Sequence, residues 1–235
     1  MKRLIKGCLL LVCVCVMVFS IITGVLASTS ASSVLQGWNG SSYQYILFGQ
    51  YASGSKTPEP VLWRVLYTTN DRALLVSEYI LAARPFDGAS PDWEGSEIQD
   101  WLNSTFLHDA FSSRQDYGAL VRNKELGRVF LLSREDLANE DYGFSKDEEH
   151  PDDPRRAMGT NRAISSGLWR NEEGYSTYYT RTMRGRTSLY QIRTDGSFGE
   201  ARIGRKNVGI RPAVRIDLDK VSFSSGDGTL ESPYR

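Results

Sequence analysis

The stretch 207-NVGIRPAVRIDL-218 decides how the fold closes, because its apolar residues predict a β-strand that is nevertheless interrupted. Arg211 and Arg215 put two guanidinium groups into this run, and Pro212 stands between them. Proline cannot donate a ladder hydrogen bond, so in sheets it occurs at edges, at bulges or at the start of a strand. Pro212 therefore predicts an edge, a bulge or a switch of sheet at this point.

Alternating and β-rich runs that precede this stretch predict the remaining strands. Asn70-Asp71 joins two of these runs and predicts a hairpin. Asp195-Gly196 predicts a second hairpin, since an Asp-Gly pair between alternating runs favours a tight turn. The predicted strands are 44–51, 61–69, 72–81, 128–133, 175–183, 188–194 and 197–204.

Short helices are predicted between the two groups of strands. Apolar residues of 96–111 recur at helical spacing, and Ser96 followed by Gln99 forms a capping-box pattern. Ser133 begins a second short helix, 134–139. Strands, then helices, then strands indicate an α+β fold, mainly antiparallel sheet with a few short helices.

The start of the chain predicts export. The basic sequence MKRLIKG precedes about 20 residues without a charge, which is long enough to span a bilayer. Val25-Leu26-Ala27 also fits the small-residue rule for cleavage. Residues 1–27 are therefore predicted to be a signal peptide or an N-terminal membrane anchor. Either alternative makes the rest extracytoplasmic, secreted or anchored to the cell membrane, with residues 7–27 as the only membrane contact if uncleaved.

The remaining chain divides into two parts. Residues 28–42 are small and polar and predict a spacer. Residues 43–235 are predicted to form a single globular domain, a length sufficient for one core. A charged, proline-bearing segment at about 143–160 predicts an acidic surface loop within it.

Composition excludes several functions for the exported part. Cys8, Cys13 and Cys15 all lie in the N-terminal segment, so residues 28–235 have no disulfide, thiolate nucleophile or cysteine metal site. The chain has 28 Lys and Arg against 28 Asp and Glu, and loss of the basic start leaves a slight negative charge. This balance argues against a nucleic-acid-binding protein, which normally carries a basic stripe. No cofactor is predicted.

Short motifs in a fixed order resemble a bacterial family called domain of unknown function 6273. They are WRVL at 63–66, LLVSEYIL at 74–81, W-E-x-S at 93–96, WLN at 101–103, VFLLS at 129–133, TRT at 180–182 and GIRPAV at 209–214. Each motif alone is weak, but their order is specific, and together they span roughly residues 43–220. The resemblance implies no activity. A more distant resemblance to C-type-lectin-like domains rests on helices inserted between antiparallel strands and on the C-terminal arginine motif.

The family resemblance implies that Arg181 and Arg211 belong to motifs kept inside aromatic-rich strands. A buried guanidinium is tolerated only when it is paired and hydrogen-bonded. Its five donors can tie several carbonyls or a carboxylate at once. We predict that both arginines are structural, with a ligand contact as the alternative.

Aromatic residues near loops are the candidates for ligand recognition, since they combine stacking area with a polar edge. Arginines close to them in the sequence favour an anionic or glycan ligand. The alternative is that the aromatic rings are core. The residues predicted to contact a ligand are Tyr178, Tyr179, Trp169, Arg184 and Arg186.

The sequence points to no catalytic residue. His108 and His150 are isolated, and the G-x-S-x-G nucleophile motif is missing from the sequence. The acidic loop is a weak calcium candidate, but its spacing does not match a calcium loop and prolines interrupt it, which favours a solvated charge run. Its candidate ligands are Asp147, Glu148, Glu149, Asp152 and Asp153.

Two functions therefore remain open. The favoured one is an exported or cell-surface, non-catalytic binding domain for an extracellular glycan, peptide or protein. The alternative is a secreted hydrolase that acts on cell-envelope glycan or peptide, which requires at least two convergent titratable groups in a deep pocket. A purely structural surface protein is a third, weaker possibility.

Overall fold

The computed structural model describes residues 28–52 and 57–235. The predicted signal peptide or membrane anchor, residues 1–27, lies outside the described residues. Among the helices of the described ranges, none is long and apolar enough to cross a membrane. These ranges form an α+β structure of mostly antiparallel sheets with short helices, which confirms the predicted fold class.

The secondary structure follows the predicted order of strands, helices and strands. The strands are β1 Thr29–Ser30, β2 Gln44–Tyr51, β3 Glu59–Thr68, β4 Arg72–Ser77, β5 Ala82–Ala83, β6 Val129–Leu131, β7 Tyr178–Gly185, β8 Ser188–Ile192, β9 Phe198–Arg202, β10 Gly209–Ile210, β11 Pro212–Asp217 and β12 Ser222–Phe223. The α-helices are α1 Ala31–Val34, α2 Glu97–Trp101, α3 Leu107–Ala110, α4 Arg114–Ala119, α5 Arg134–Leu137 and α6 Asn161–Ser165.

Two five-stranded sheets carry the fold. Sheet one has the order β2-β3-β4-β11-β6 and is antiparallel throughout. Sheet two has the order β5-β10-β7-β8-β9, with one parallel pairing between β10 and β7. The predicted hairpins join β3 to β4 and β8 to β9. Gly196 has a φ of +86° in the second turn, a conformation that favours glycine.

The stretch 207–218 switches between the two sheets at Arg211. Before Arg211, β10 belongs to sheet two, and after it, β11 lies between β4 and β6 of sheet one. Pro212 is the first residue of β11, where its missing N–H is tolerated. The single strand expected here is therefore two strands, and of the three alternatives for Pro212 the switch of sheet is correct.

Side chains from sheet one are buried on both of its faces. Val65 and Leu75 belong to one hydrophobic cluster, while their neighbours Leu66 and Leu74 belong to another. This follows from the alternation of side chains along a strand. The α2–α3 segment covers the first face, and the acidic loop with α5 and α6 covers the second.

The predicted N-terminal caps of α2 and α5 are both present, but only that of α5 is a complete capping box. Ser96 accepts a hydrogen bond from the backbone N–H of Gln99, which caps α2. The Gln99 side chain, however, bonds to the N–H of Gly95 and so does not close the predicted box. Ser133 and Asp136 form a complete capping box at α5. A π-helical turn, Leu102–Phe106, joins α2 to α3.

The N-terminal segment 28–42, predicted to be a polar spacer, packs in part against the rest of the described chain. Its β1 pairs with β12 near the C-terminal end of the described chain. Ala31 and Leu35 are buried in the first hydrophobic cluster. A few apolar residues within a polar segment are enough to dock it, because β12 offers an edge to which β1 can pair.

Candidate functional site

Arg211 lies at the junction of the two sheets, with only 2% of its surface exposed. Its Nε donates to the carbonyl oxygen of Ser77 at the end of β4, at 2.9 Å. Its Nη1 donates to the hydroxyl of Tyr178 on β7, at 3.1 Å, and to the carbonyl oxygen of Arg155, at 3.3 Å. One guanidinium thus ties both sheets to the acidic loop.

Arg64 on β3 is a second buried arginine, and sequence analysis missed it. Its Nε donates to Oε2 of Glu78 and its Nη2 donates to Oε1, both at 2.8 Å, so the pair is bidentate. Its Nη1 donates to the carbonyl oxygen of Pro154 at 2.7 Å. Burial raises the pKa of Glu78, but the charge and hydrogen bonds of Arg64 outweigh burial and hold that pKa below its ordinary value. The sequence contained a signal for Arg64, because an arginine inside an apolar predicted strand indicates a buried guanidinium. The same signal was used for Arg211.

Arg181 is half-buried on β7. Its Nη1 donates to the carbonyl oxygen of Leu131, at 2.6 Å, and to the carboxylate of Asp136, at 2.7 Å. Asp136 also completes the cap of α5, so this arginine links β7 to β6 and to a helix start. These contacts occupy the guanidinium with internal partners.

The acidic loop is folded onto the protein and is not only a surface loop. Phe144, Arg155 and Ala157 are buried within it. Arg155 donates from Nη1 to the carbonyl oxygen of Ser145, at 3.1 Å, and from Nη2 to that of Asp147, at 2.5 Å. The loop therefore closes around a guanidinium and covers the second hydrophobic cluster.

The carboxylates of the calcium candidate have other partners. They are arranged as Glu148 with Arg134 at 2.7 Å, Asp152 with Arg155 at 3.0 Å, Asp153 with Arg156 at 3.2 Å, and Asp147 with His150 at 2.8 Å. Across the described ranges, no group of three or more His, Cys, Asp or Glu side chains could hold a metal ion. The calcium alternative has no support at this loop.

The prediction that Tyr178 and Tyr179 face a ligand is wrong, because both side chains are buried, with 2% and 1% exposed. Successive residues of β7 point to opposite faces, and both faces are covered by core. The Tyr178 hydroxyl donates to the carbonyl oxygen of Arg155 at 2.6 Å. The Tyr179 hydroxyl lies 2.7 Å from the carbonyl oxygen of Arg202 and 3.2 Å from that of Arg205. Both tyrosines anchor loops.

Trp169 is the predicted ligand residue that does lie at an open site. It is 54% exposed, more than any other large apolar side chain in the described ranges. It borders a depression of about 320 Å³, which we call the Trp169 pocket. The pocket is lined by Trp169, Thr177, Gln191, Arg205 and Asn207.

Two elements of sheet two position the polar groups of the Trp169 pocket. Gln191 on β8 pairs with Tyr179 on β7, and it is buried, with 8% of its surface exposed. Its Oε1 is buried and has no hydrogen-bond partner among the described residues. Arg205 lies in the connection after β9, which the Tyr179 hydroxyl holds in place. Buried polar atoms are normally satisfied, so an unpaired amide oxygen at a pocket is an indication of function.

Arg184 and Arg186 do not line this pocket. Arg184 lies 3.3 Å from the carboxylate of Glu200, and its guanidinium is 5.1 Å from the centre of the Tyr190 ring. Arg186 is exposed in the turn between β7 and β8. The arginine at the pocket is Arg205, which sequence analysis missed together with Gln191 and Asn207. No local pattern marks these three residues, since they come together only through the pairing of sheet two.

A larger depression, of about 620 Å³, lies beside Trp38 and Tyr43. Its two aromatic rings already pack on other side chains. The ring centres of Trp38 and Tyr43 lie 4.6 Å apart, and the Arg64 guanidinium lies 4.7 Å from the centre of the Tyr43 ring. The Trp169 pocket differs in having an exposed ring next to an unsatisfied buried amide. It is therefore the candidate functional site.

Comparison with known proteins supports the family resemblance. No curated protein and no solved structure matches the chain, so the C-type-lectin-like comparison stays a prediction. A family model described as domain of unknown function (DUF6273) matches residues 70–218, a span that includes GIRPAV and the lining of the Trp169 pocket. Since this span is more than half of the 235 residues, the chain belongs to the DUF6273 family.

Proposed function

We propose that this chain is an exported, non-catalytic binding domain that holds one sugar residue of an extracellular glycan in the Trp169 pocket. The observation that carries the proposal is the exposed indole of Trp169 beside the buried, unpaired amide of Gln191. An indole offers a flat apolar face with a polar edge, which suits the C–H face of a sugar ring. The amide and the neighbouring polar groups suit its substituents.

The size of the pocket favours a single sugar residue. Ligand pockets usually measure about 300–1,000 Å³, and this one, at about 320 Å³, is near the lower limit. Its polar groups include a hydroxyl, two amides and a guanidinium, from Thr177, Gln191, Asn207 and Arg205. Few, separately placed polar groups around an aromatic ring are typical of sites that orient a small polar ligand.

The chemistry of the pocket supports binding rather than hydrolysis. Among the described residues that line it there is no carboxylate and no histidine. Glycoside hydrolysis generally needs a pair of carboxyl groups across the cleaved bond. The secreted hydrolase would therefore need another depression, such as the acidic one that contains Asp153, Glu173 and Asp195.

Three of the four carboxylates of that acidic depression are poorly suited to acid catalysis. Arg156 forms ion pairs with both Asp153 and Glu173. Burial raises the pKa of Asp195, but hydrogen bonds from Ser197 outweigh burial and lower it. A catalytic acid needs a raised pKa to carry its proton at neutral pH. The hydrolase thus remains the weaker candidate.

Replacing Trp169 with alanine is expected to weaken glycan binding at least about tenfold, because a loss of about 1.4 kcal/mol of ring contact has that effect. Binding of the full-length chain to a panel of cell-envelope saccharides, with mass spectrometry of the products, measures this. The free energy of unfolding should change by no more than about 0.5 kcal/mol, since the side chain is exposed.

Met183→Ala is the matched control for this experiment. Met183 is 53% exposed, nearly the same as Trp169, but does not line the pocket. Its replacement should leave binding unchanged. Equal binding by Trp169→Ala and the wild-type chain would remove the pocket from the proposal, and release of cleaved saccharide would replace binding by hydrolysis.

Export is tested separately. Whole cultures that produce the full chain, intact cells together with their medium, are treated with a membrane-impermeant, amine-reactive biotin, and labelling before and after lysis of the cells is compared. We expect equal labelling, because residues 1–27 carry the basic and apolar segments of an export signal. A chain without residues 2–27 should be labelled only after lysis. Protection of the full chain in intact cells would contradict export.

A further inference from the structure

We infer that the sugar residue held in the Trp169 pocket is an N-acylated amino sugar that carries a carboxylate. This inference rests on the proposed function and names the class of ligand within it. Three groups that line one pocket carry it: the Gln191 amide, the Arg205 guanidinium and the Trp169 indole. Each has a different complement on such a sugar.

The Gln191 amide selects the N-acyl group. Its Oε1 is buried and unpaired among the described residues, so the fold leaves this oxygen without a donor. The terminal torsion of glutamine is broad and roughly two-fold, so the amide can turn either its oxygen or its nitrogen towards a ligand. An acylamino group supplies an N–H donor and a carbonyl acceptor side by side, and therefore complements the amide in either orientation. A simple hydroxyl does not offer this paired arrangement.

The Arg205 guanidinium selects the carboxylate. Arg205 is exposed, and the described residues that line the pocket include no acid to neutralise it. A guanidinium presents its donors in a planar fork that matches the two oxygens of a carboxylate. The net charge of this lining is therefore positive, which favours an anionic ligand over a neutral or cationic one.

Tyr179 holds the two backbone segments that carry these groups. Tyr179 is paired with Gln191 across β7 and β8, and its hydroxyl lies within hydrogen-bonding distance of the carbonyl oxygens of Arg202 and Arg205. The same buried residue thus supports the strand that carries the amide and the turn that carries the guanidinium. A site whose polar groups are held by packed elements is preorganised, which reduces the entropy lost on binding.

Binding of glucose, N-acetylglucosamine and N-acetylmuramic acid to the full-length chain tests the inference. N-Acetylglucosamine has an acylamino group in place of the 2-hydroxyl of glucose, and N-acetylmuramic acid carries, in addition, a carboxylate on a lactyl ether at its 3-oxygen. We expect the affinity to rise about 3- to 10-fold at the first step, which adds neutral hydrogen bonds. We expect it to rise about 10- to 100-fold at the second step, which adds hydrogen bonds between charged groups. The second gain should shrink with added salt because it is ionic.

Two variants assign each step to its residue. Arg205→Gln should remove the gain at the second step and keep the first, and Gln191→Met should remove the gain at the first step and keep the second. Arg205 is exposed, so its replacement leaves the fold intact. Met fills the space of Gln191 without a polar atom, so the variant should unfold at the same or a higher temperature.

The outcomes separate this inference from the proposed function. Equal affinity for the last two sugars, or a preference that survives Arg205→Gln, would overturn the anionic ligand while Trp169-dependent sugar binding stands. A first step that survives Gln191→Met would overturn the role of the amide. Absence of binding to all three sugars and to the saccharide panel would overturn both proposals.

Discussion

Replacing Arg211 with alanine is expected to lower the free energy of unfolding by about 3–5 kcal/mol, because buried partners of a guanidinium lose their donors at once. The groups that lose this donor are the carbonyl oxygen of Ser77 and the hydroxyl of Tyr178, which lie on different sheets. The carbonyl oxygen of Arg155 loses the guanidinium but keeps the Tyr178 hydroxyl as a donor. Alanine also leaves a cavity at the point where the chain passes between sheets. Denaturation by urea, followed by tryptophan fluorescence, measures the loss.

Arg215→Ala is the control for this prediction, because Arg215 lies four residues further along the same stretch. Arg215 is half-buried, and its guanidinium stacks over Phe130 at 4.9 Å. Its removal should cost about 1 kcal/mol or less. Arg211→Lys should not restore stability, since an ammonium cannot reproduce the fork. Comparable losses for Arg211→Ala and Arg215→Ala would contradict a special role for Arg211.

Replacing Arg64 with methionine is expected to cost about 3 kcal/mol at neutral pH, because it leaves the half-buried Glu78 carboxylate without its cation. Methionine keeps much of the apolar stem, so the loss reports on charge more than on packing. The double variant Arg64→Met, Glu78→Gln should be more stable than Arg64→Met alone. A double variant that is no more stable would show that packing, and not the unpaired charge, sets the cost.

The pH dependence of this loss has a definite sign. In the wild-type chain the pKa of Glu78 is lowered, so the stability it contributes is complete above its unfolded pKa and is lost as pH falls through the folded pKa. Without Arg64, burial raises the pKa of Glu78, and protonation then relieves the unpaired charge. The difference between Arg64→Met and the wild-type chain should therefore shrink as pH falls from about 7 towards about 4. A constant difference would contradict this assignment.

The sequence predicted local structure well, since its signals are themselves local. Turn chemistry at Asn70-Asp71 and Asp195-Gly196 located both hairpins, and Ser133 marked a helix start. Pro212 also predicted an interruption of the strand, because proline cannot donate a ladder hydrogen bond. Its outcome, a change of sheet, depends on which edges the other strands leave open, and no local pattern states that.

The candidate site was only partly predictable for the same reason. Exposure of Trp169 followed from its place in a loop, whereas Tyr178 and Tyr179 were misassigned because period-two alternation does not reveal that both faces of a strand are covered. Gln191, Arg205 and Asn207 meet through strand pairing and a hydroxyl contact between distant residues. Their proximity depends on how the strands of sheet two pair, so no single stretch of sequence predicts it.

The short pairing of β1 with β12 has a mechanical consequence. A pull applied to the chain through residue 28 is first resisted by a ladder of two residue pairs, Thr29 with Phe223 and Ser30 with Ser222. A force that pulls residue 28 away from β12, across the strands, loads the Thr29 pair first and opens the two pairs in turn. Residues 31–42 extend only after further contacts break, because the Ala31 N–H donates to the carbonyl oxygen of Val221 at 3.0 Å and the Trp38 N–H donates to that of Leu66 at 3.1 Å. Leu66 belongs to β3, so tension from residue 28 reaches sheet one through Trp38 before it reaches β2.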